Sequence, residues 1–201
     1  MKIFFTIFLY FLLITPGGNA SCQTTTNDST SSSITPMNAT QLAKYRQSIW
    51  EDLPAAVGWV NDFEELFTNE EENNLESLIE HFEKITGIEI MIVTIDTNLV
   101  AKSNFNEFSY RLLKIWGIGK RLKENGIIIC ISNGYHLLKI TPDFGILKLM
   151  NESMTSRIKN KNFIPSYKKN RYYEGTYRGL NAIINHLSKR LKALGGEDLV
   201  F

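Results

Sequence analysis

Between Asn69 and Thr86 the apolar residues Leu75, Leu78, Ile79, Phe82 and Ile85 recur three and four positions apart, while Glu70, Glu72, Glu76, Glu80 and Glu83 fill the other face. That spacing predicts an amphipathic helix over 69–86. Thr68 and Glu71 form a capping box at its start, and Gly87 ends it. The period then changes. "IEIMIVTID" (88–96) is β-branched and almost continuously apolar, as expected of a strand covered on both faces. After a loop over 97–104, Phe108, Leu112, Ile115 and Trp116 mark a second helix closed by Gly117 and Gly119. "GIIICIS" (126–132) is a second buried strand, Asn133-Gly134 a hairpin signal, and "YHLLKIT" (135–141) a third strand that Pro142-Asp143 leaves. A helix is expected over 146–160, with a break at Pro165. Tyr173, Tyr177, Leu180, Ile184, Leu187, Leu191 and Leu194 then lay one apolar stripe along a final long helix. The order helix, strand, helix, strand, strand, helix, helix is an α/β pattern, with helices on both faces of a small central sheet. The single folded domain is expected over 50–196, entered through "LPAAVGWVNDFEELFT" and followed by a tail, 197–201.

The first 49 residues follow neither period. Lys2 precedes an apolar run from Ile3 to Ile14, then Pro16-Gly17-Gly18 and the small residues Ala20 and Ser21. This is the layout of a secretory signal peptide, 1–21, and the run is short of the ~20 residues a membrane span needs. Cys22 opens the stretch "QTTTNDSTSSSITP", too poor in apolar groups to fold. A lipid-modified Cys22 followed by a flexible polar linker, 22–49, fits a lipoprotein anchored to a membrane. Asn19 is a poor match where such signals carry Leu, and cleavage after Ala20 to release a soluble protein is the alternative. Either route exports the chain to the periplasm or another extracytoplasmic part of the cell envelope. Cys130, inside an apolar strand, is expected to act as a small hydrophobe, so the two cysteines make no disulfide framework.

Charge adds an asymmetry. The net charge of the 201 residues is +1, which suggests no nucleic-acid partner. Yet residues 51–100 hold thirteen Asp and Glu against Lys84 alone, while 101–201 hold eighteen Lys and Arg against seven acids. Catalytic signatures are missing: no GxSxG elbow, no P-loop, no HExxH. His81, His136 and His186 lie on separate elements, Asp143-Phe144-Gly145 lacks the other kinase motifs, and Gly117-x-Gly119 follows a helix instead of a strand. No catalytic residue is assigned. What remains is oxygen chemistry: Asp62, Glu124, Asn125 and Asp143 stand in loops beside element ends, where carboxylates and carbonyls can collect around Ca²⁺ or Mg²⁺. Turn formation alone also explains Asp and Asn in such places.

Four segments, "VNDFEELFTNEEENNLESLI", "TGIEIMIVTI", "RLLKIWGIGKRLKENGIIICIS" and "IPSYKKNRYYEGTYRGL", spread over roughly 57–190, resemble the TPM domain in order and spacing. That domain is shared by thylakoid lumen phosphatase-like proteins, photosystem II repair proteins and bacterial envelope proteins. The resemblance implies an α/β/α sandwich around a small mixed sheet, exported and often membrane-tethered. It also implies a link to acid phosphatase activity, to calcium or magnesium, or to assembly of membrane complexes. It places Glu124 where relatives carry Asp at the metal-binding edge. Other acids of the family pattern are missing: Asp143-Phe144-Gly145-Ile146-Leu147-Lys148 replaces Gly-Tyr-Gly-Leu-Glu-Gly, Asn160-Lys161-Asn162-Phe163 replaces Arg-Asp-Glu-Met, and Asn170-Arg171-Tyr172 replaces Gly-Asp-Tyr. Two unit charges 4 Å apart interact by about 4 kcal/mol at an effective dielectric near 20, so exchanging acids for bases weakens a cation site by orders of magnitude. A degenerate metal site is expected. The chain then reads as a non-catalytic envelope adaptor that binds an envelope or membrane protein through Lys168, Lys169, Arg171 and Tyr172. The alternative is a phosphomonoesterase in which Asp62, Glu124 and Asp143 hold Ca²⁺ or Mg²⁺ to polarise the phosphoryl group and activate water. A structural Ca²⁺ site without turnover is the third reading.

Overall fold

Four strands build one sheet in the computed structural model, which describes residues 36–119 and 124–195. β1 (Val60–Asp62), β2 (Glu89–Thr94), β3 (Gly126–Ser132) and β4 (Leu137–Pro142) lie side by side in chain order. The first three are parallel and β4 is antiparallel to β3, so the sheet is mixed. Helices α1 (Ala39–Glu51), α2 (Asn69–Thr86), α3 (Phe105–Ile115), α4 (Phe144–Leu147), α5 (Glu152–Ile158), α6 (Ile164–Tyr167) and α7 (Tyr172–Ala193) complete the described chain. The expected α/β/α sandwich is what forms.

The uninterrupted apolar strands are explained by what covers them. Alternate side chains of a strand point to opposite faces. Ile90, Ile92, Ile127, Ile129 and Ile131 meet Leu75, Ile79 and Phe82 of α2 and Leu180, Ile183 and Leu187 of α7 on one face. Met91, Val93, Ile128 and Cys130 meet Phe105, Phe108, Leu112 and Leu113 of α3 on the other. All seven residues of β3 are buried. The Cys130 thiol is buried too, which pushes its pKa up to about 12 and leaves it a packing group.

The connections have an unusual consequence. β1 to β2 and β2 to β3 step the same way across the sheet, but α2 and α3 cover opposite faces. The two crossovers therefore have opposite hands, and one of them departs from the right-handed rule. Chain leaving the adjacent strands β1 and β2 thus diverges to opposite faces.

Several expectations change. The linker expected over 22–49 is helical from Ala39: Asn38 and Gln41 form a capping box, and α1 extends to Glu51. No residue of α1 is fully buried, so its sequence carries no strong stripe. It docks on the α3 face through Ile49 and Trp50, whose ring lies 5.9 Å from that of Phe108. Arg111 Nη2 donates to the Trp50 carbonyl (2.8 Å), and Arg46 Nη2 donates to that of Thr97 (2.7 Å). β1 was hidden in the entry segment because it has only three residues. The hairpin loop is four residues long, Ser132 pairing with Leu137, and His136 takes the positive φ. The helix expected over 146–160 is two short helices, and a π turn over Lys159–Phe163 carries the second on through Pro165 to Tyr167. Pro165 sits at the start of α6, where its missing N–H costs nothing. On α7 the buried stripe is Gly175, Thr176, Gly179, Leu180, Ile183 and Leu187, while Tyr177 and Leu194 are exposed. The glycines four apart admit two rings: a Cβ at Gly175 would strike that of Tyr167, and one at Gly179 that of Phe163. The expected signal peptide, Cys22 and the tail 197–201 lie outside the described residues. Among the described residues no helix is long and apolar enough to cross a membrane.

Candidate functional site at the two ends of the sheet

At the carboxyl ends of the parallel strands, short side chains on β1, β2 and β3 are tied to one another. Asp62, the last residue of β1, accepts from Thr94 Oγ1 at the end of β2 (2.5 Å) and from the Phe67 N–H (2.8 Å). Thr94 in turn accepts from the Glu64 N–H (2.9 Å). Glu64 reaches across to the β3–β4 hairpin, where it accepts from the N–H groups of Asn133 (2.8 Å) and Gly134 (3.3 Å). Burial raises the Glu64 pKa above the ordinary 4.5, with Asp96 adding repulsion, and the two backbone donors only partly oppose this.

The same hairpin fixes the start of α7. Tyr172 donates its hydroxyl to Asn133 Oδ1 (2.6 Å), and its ring lies 4.9 Å from that of Tyr167. Burial raises the Tyr172 pKa, and the charge of Glu64 adds to the effect. Tyr167 shares a hydrogen bond with Thr176 (2.7 Å), and burial raises its pKa strongly. Between these two tyrosines runs the loop Lys168-Lys169-Asn170-Arg171, with Asn170 in the left-handed region at φ 56°. Arg171 pairs with Glu174 (2.9 Å). Lys168 and Lys169 are exposed, and their ammonium groups have no partner among the described residues. The four residues expected to form a partner surface are thus contiguous and anchored at one end of the sheet.

The opposite end holds the "WGIGKRLKENGIII" segment. Gly119, at φ 80°, passes so close to Gly126 that a Cβ on it would collide with the Gly126 nitrogen. Its N–H donates to Glu89 Oε2 (2.6 Å). Glu124 also has a positive φ, 60°, and its carbonyl accepts from the Gly145 N–H (3.1 Å). The Asn125 carbonyl accepts from the Glu89 N–H (3.2 Å). Asp143, only 4% exposed, accepts at one oxygen from both Lys114 Nζ (2.6 Å) and the Phe144 N–H (2.9 Å). The Asp143 bond raises the Lys114 pKa above 10.5, outweighing partial burial, and the nearby charge of Glu124 contributes.

Asp62 therefore does not join the other three candidates. Glu124 and Asn125 precede β3, Asp143 follows the antiparallel β4, and Asp62 ends the parallel β1. Seven residues of β3 separate the two ends by about 20 Å. A Ca²⁺ ion holds its oxygens within about 2.6 Å. At the Glu124 end, a divalent cation would have to displace the Lys114 ammonium from Asp143, and the donor set does not fit one. Among the described residues no three His, Cys, Asp or Glu side chains are grouped to hold a metal. Sequence reasoning missed Glu64, Thr94 and Lys114. Lys114 gave one signal, a cation four residues before Ile118 at a helix end that Gly117 turns back toward the sheet.

The layered sheet, the divergent crossovers and the polar groups at its carboxyl edge define an α/β/α sandwich of open-sheet type. The family model for the TPM domain matches residues 60–186, and the chain belongs to that family. Two solved structures share the fold. One is the N-terminal domain of a protein from P. gingivalis, 21% identical, covering 67% of this chain and 84% of that one with a TM-score of 0.61. The other is the BA42 protein of the psychrophilic bacterium Bizionia argentinensis, 20% identical, covering 64% and 86% with a TM-score of 0.55. No curated protein matches this chain.

Proposed function

We propose that this TPM domain is an exported envelope module, tethered through Cys22, that works by binding a protein partner and not by turnover. A fold of this kind does not choose between the two, so the argument rests on the site. The observation that carries it is the contrast between the two kinds of charge. The carboxylates at the sheet ends are engaged: Asp62 by Thr94 and Phe67, Glu64 by the hairpin, Asp143 by Lys114. The cations Lys168 and Lys169 are exposed on a loop whose ends are fixed by Tyr167 and Tyr172. A rigid cationic rim flanked by half-buried tyrosines suits an acidic surface of an envelope or membrane protein, since preorganised contacts lose less entropy on association. Arg171, already paired with Glu174, contributes its planar face and a share of the field.

The test is affinity capture from solubilised envelopes with the wild-type chain and a Lys168→Glu, Lys169→Glu, Arg171→Glu variant. The expected result is loss of specific partners at an unchanged melting temperature. A variant that keeps all of them refutes the reading. The alternative, a Ca²⁺- or Mg²⁺-dependent phosphomonoesterase, predicts that either ion stabilises metal-stripped protein and that a simple phosphomonoester is cleaved. Binding at a hundred times the dissociation constant raises stability by about 2.7 kcal/mol, well within reach of a melt.

A further inference from the structure

On the face covered by α7, the chain leaves α4 through Lys148, Leu149, Met150 and Asn151 before α5 begins. A cavity of about 230 Å³ lies there, lined by Lys148, Leu149, Asn151, Met154, His186 and Arg190. No carboxylate is among the lining residues. From Gly175 to Ala193, α7 carries Arg178, Lys189, Arg190 and Lys192 and no Asp or Glu. Asn151 Oδ1 already accepts from the Met154 N–H (3.0 Å), which leaves its amide NH₂ to donate. The nitrogen His186 Nε2 lies 3.0 Å from the Leu149 carbonyl. A carbonyl can only accept, so Nε2 carries the proton and the ring is held against the wall. Lys148 and Arg190 have no ion-pair partner among the described residues. Leu149 and Met154, half-buried, supply an apolar side.

We propose that this cavity is a binding site for a phosphate ester: the phosphoryl oxygens meet Arg190, Lys148 and the Asn151 amide, and a short apolar substituent lies against Leu149 and Met154. An arginine fork and a lysine point charge are the usual pair for a phosphate, and two unpaired cations with no carboxylate among the lining residues disfavour a cation as the occupant. The volume is below the range typical of drug-sized ligands and suits a headgroup-sized group. From Tyr172 to Arg190 the rise along α7 is about 27 Å, so this site is separate from the loop at the carboxyl ends of the strands and does not depend on the reading given to it. The phosphate can come from a soluble monoester or from a lipid headgroup.

The experiment uses the exported chain as a Cys22→Ser variant, so that acylation does not itself bring it to vesicles. Heteronuclear NMR follows titration with phenyl phosphate and with inorganic phosphate. Sedimentation with phosphatidylglycerol and with phosphatidylcholine vesicles forms the second arm. Saturable shifts confined to Leu149, Asn151, Met154 and His186 are expected with phenyl phosphate, and weaker binding with inorganic phosphate. Lys148→Gln or Arg190→Gln should each weaken binding about tenfold or more. Both residues are exposed at the rim, so unchanged melting temperatures will show that the variants fold. Sedimentation with phosphatidylglycerol that Arg190→Gln abolishes supports the site with a lipid as its source. Shifts with phenyl phosphate and no sedimentation support it with a soluble ester. No saturable shift at millimolar phenyl phosphate together with no vesicle binding overturns the proposal, as does binding that survives the Lys148→Gln, Arg190→Gln double variant.

Discussion

Replacing Lys114 by Met should expose what the Asp143 carboxylate costs when nothing opposes it. Asp143 is almost fully buried, and its Oδ1 takes a 2.6 Å bond from Lys114 as well as the Phe144 N–H. Met keeps the length and the apolar stem of Lys but removes the charge. Removing one partner of a buried ion pair costs about 3–5 kcal/mol because the other charge is left uncompensated. Here the lysine side chain is 34% exposed, so water can reach the vacated position, and the loss should fall to about 2–3 kcal/mol. For a domain of this size that lowers the melting temperature by about 4–12 °C. Adding Asp143→Asn should recover much of the loss, since the amide oxygen still caps α4 and carries no charge.

The pH dependence has a definite sign. Lys114 has its pKa raised above the ordinary 10.5, so its contribution is complete below 10.5 and disappears as pH rises through the higher folded value. Wild type and Lys114→Met should therefore differ at neutral pH and converge at strongly alkaline pH. Differential scanning calorimetry on the two single variants and the double variant closes the cycle. The Glu124 charge acts on the same ammonium, so Lys114 takes the place of a cation between two acids. The Lys114→Met variant, and not the wild type, should then be stabilised by millimolar Ca²⁺. If Lys114→Met melts within about a degree of wild type, the argument for an internally neutralised site is wrong.

Three further outcomes are expected. Gly179→Ala sets a helix-propensity gain of about 1 kcal/mol against overpacking of about 1–3 kcal/mol on the fully buried Phe163 ring; a net loss should appear in urea unfolding, and a stabilised variant would refute the contact. Glu64 has a raised pKa, so its burial cost is present at neutral pH and is relieved as pH falls through that value toward 4.5; the stability of wild type relative to Glu64→Gln should rise over this window, and parallel pH profiles would contradict the assignment. Trp50→Ala should cost about 2–3 kcal/mol, less than a fully buried aromatic, and should abolish hydrogen-exchange protection in 39–51 while α2 and α7 stay protected. Retained protection there would mean that α1 does not depend on this contact.

The parts of the fold that were legible are those in which a local period coincides with burial. The bounds of α2 were readable to the residue, because its Thr68 capping box and the αL Gly87 agree, although Ile85 of the expected stripe is exposed. β3 was equally clear, since both faces are covered and every residue is apolar or small. α1 escaped because it offers half-buried residues instead of a stripe, and is held by the Arg46 bond to Thr97 and the Arg111 bond from α3 to Trp50. On α7 Tyr177 imitated a core position, whereas the close approach of the Tyr167 and Phe163 rings was encoded by Gly175 and Gly179, which no hydrophobicity pattern registers.

The separation of the site residues is a different case, because strand direction alone decides it. A residue that follows a strand lies at the end opposite to one that precedes a parallel neighbour. Asp62 ends β1 and Glu124 precedes β3, and these strands run the same way, so the two were bound to be apart. Asp143 follows β4, which the hairpin reverses, and this returns it to the Glu124 end. The expected mixed sheet with a terminal hairpin is enough to return Asp143 to the Glu124 end, whereas the separation of Asp62 needed β1, which the sequence pattern did not reveal. Nor did the identity of the counter-charge follow. Lys114 reaches Asp143 because Gly117 and Gly119 fold the chain back from α3 onto the start of β3, with positive φ at both. The glycines thus account for the approach of α3's last turn, and that approach is what sets the Lys114 ammonium on Asp143, where a divalent ion would have to displace it.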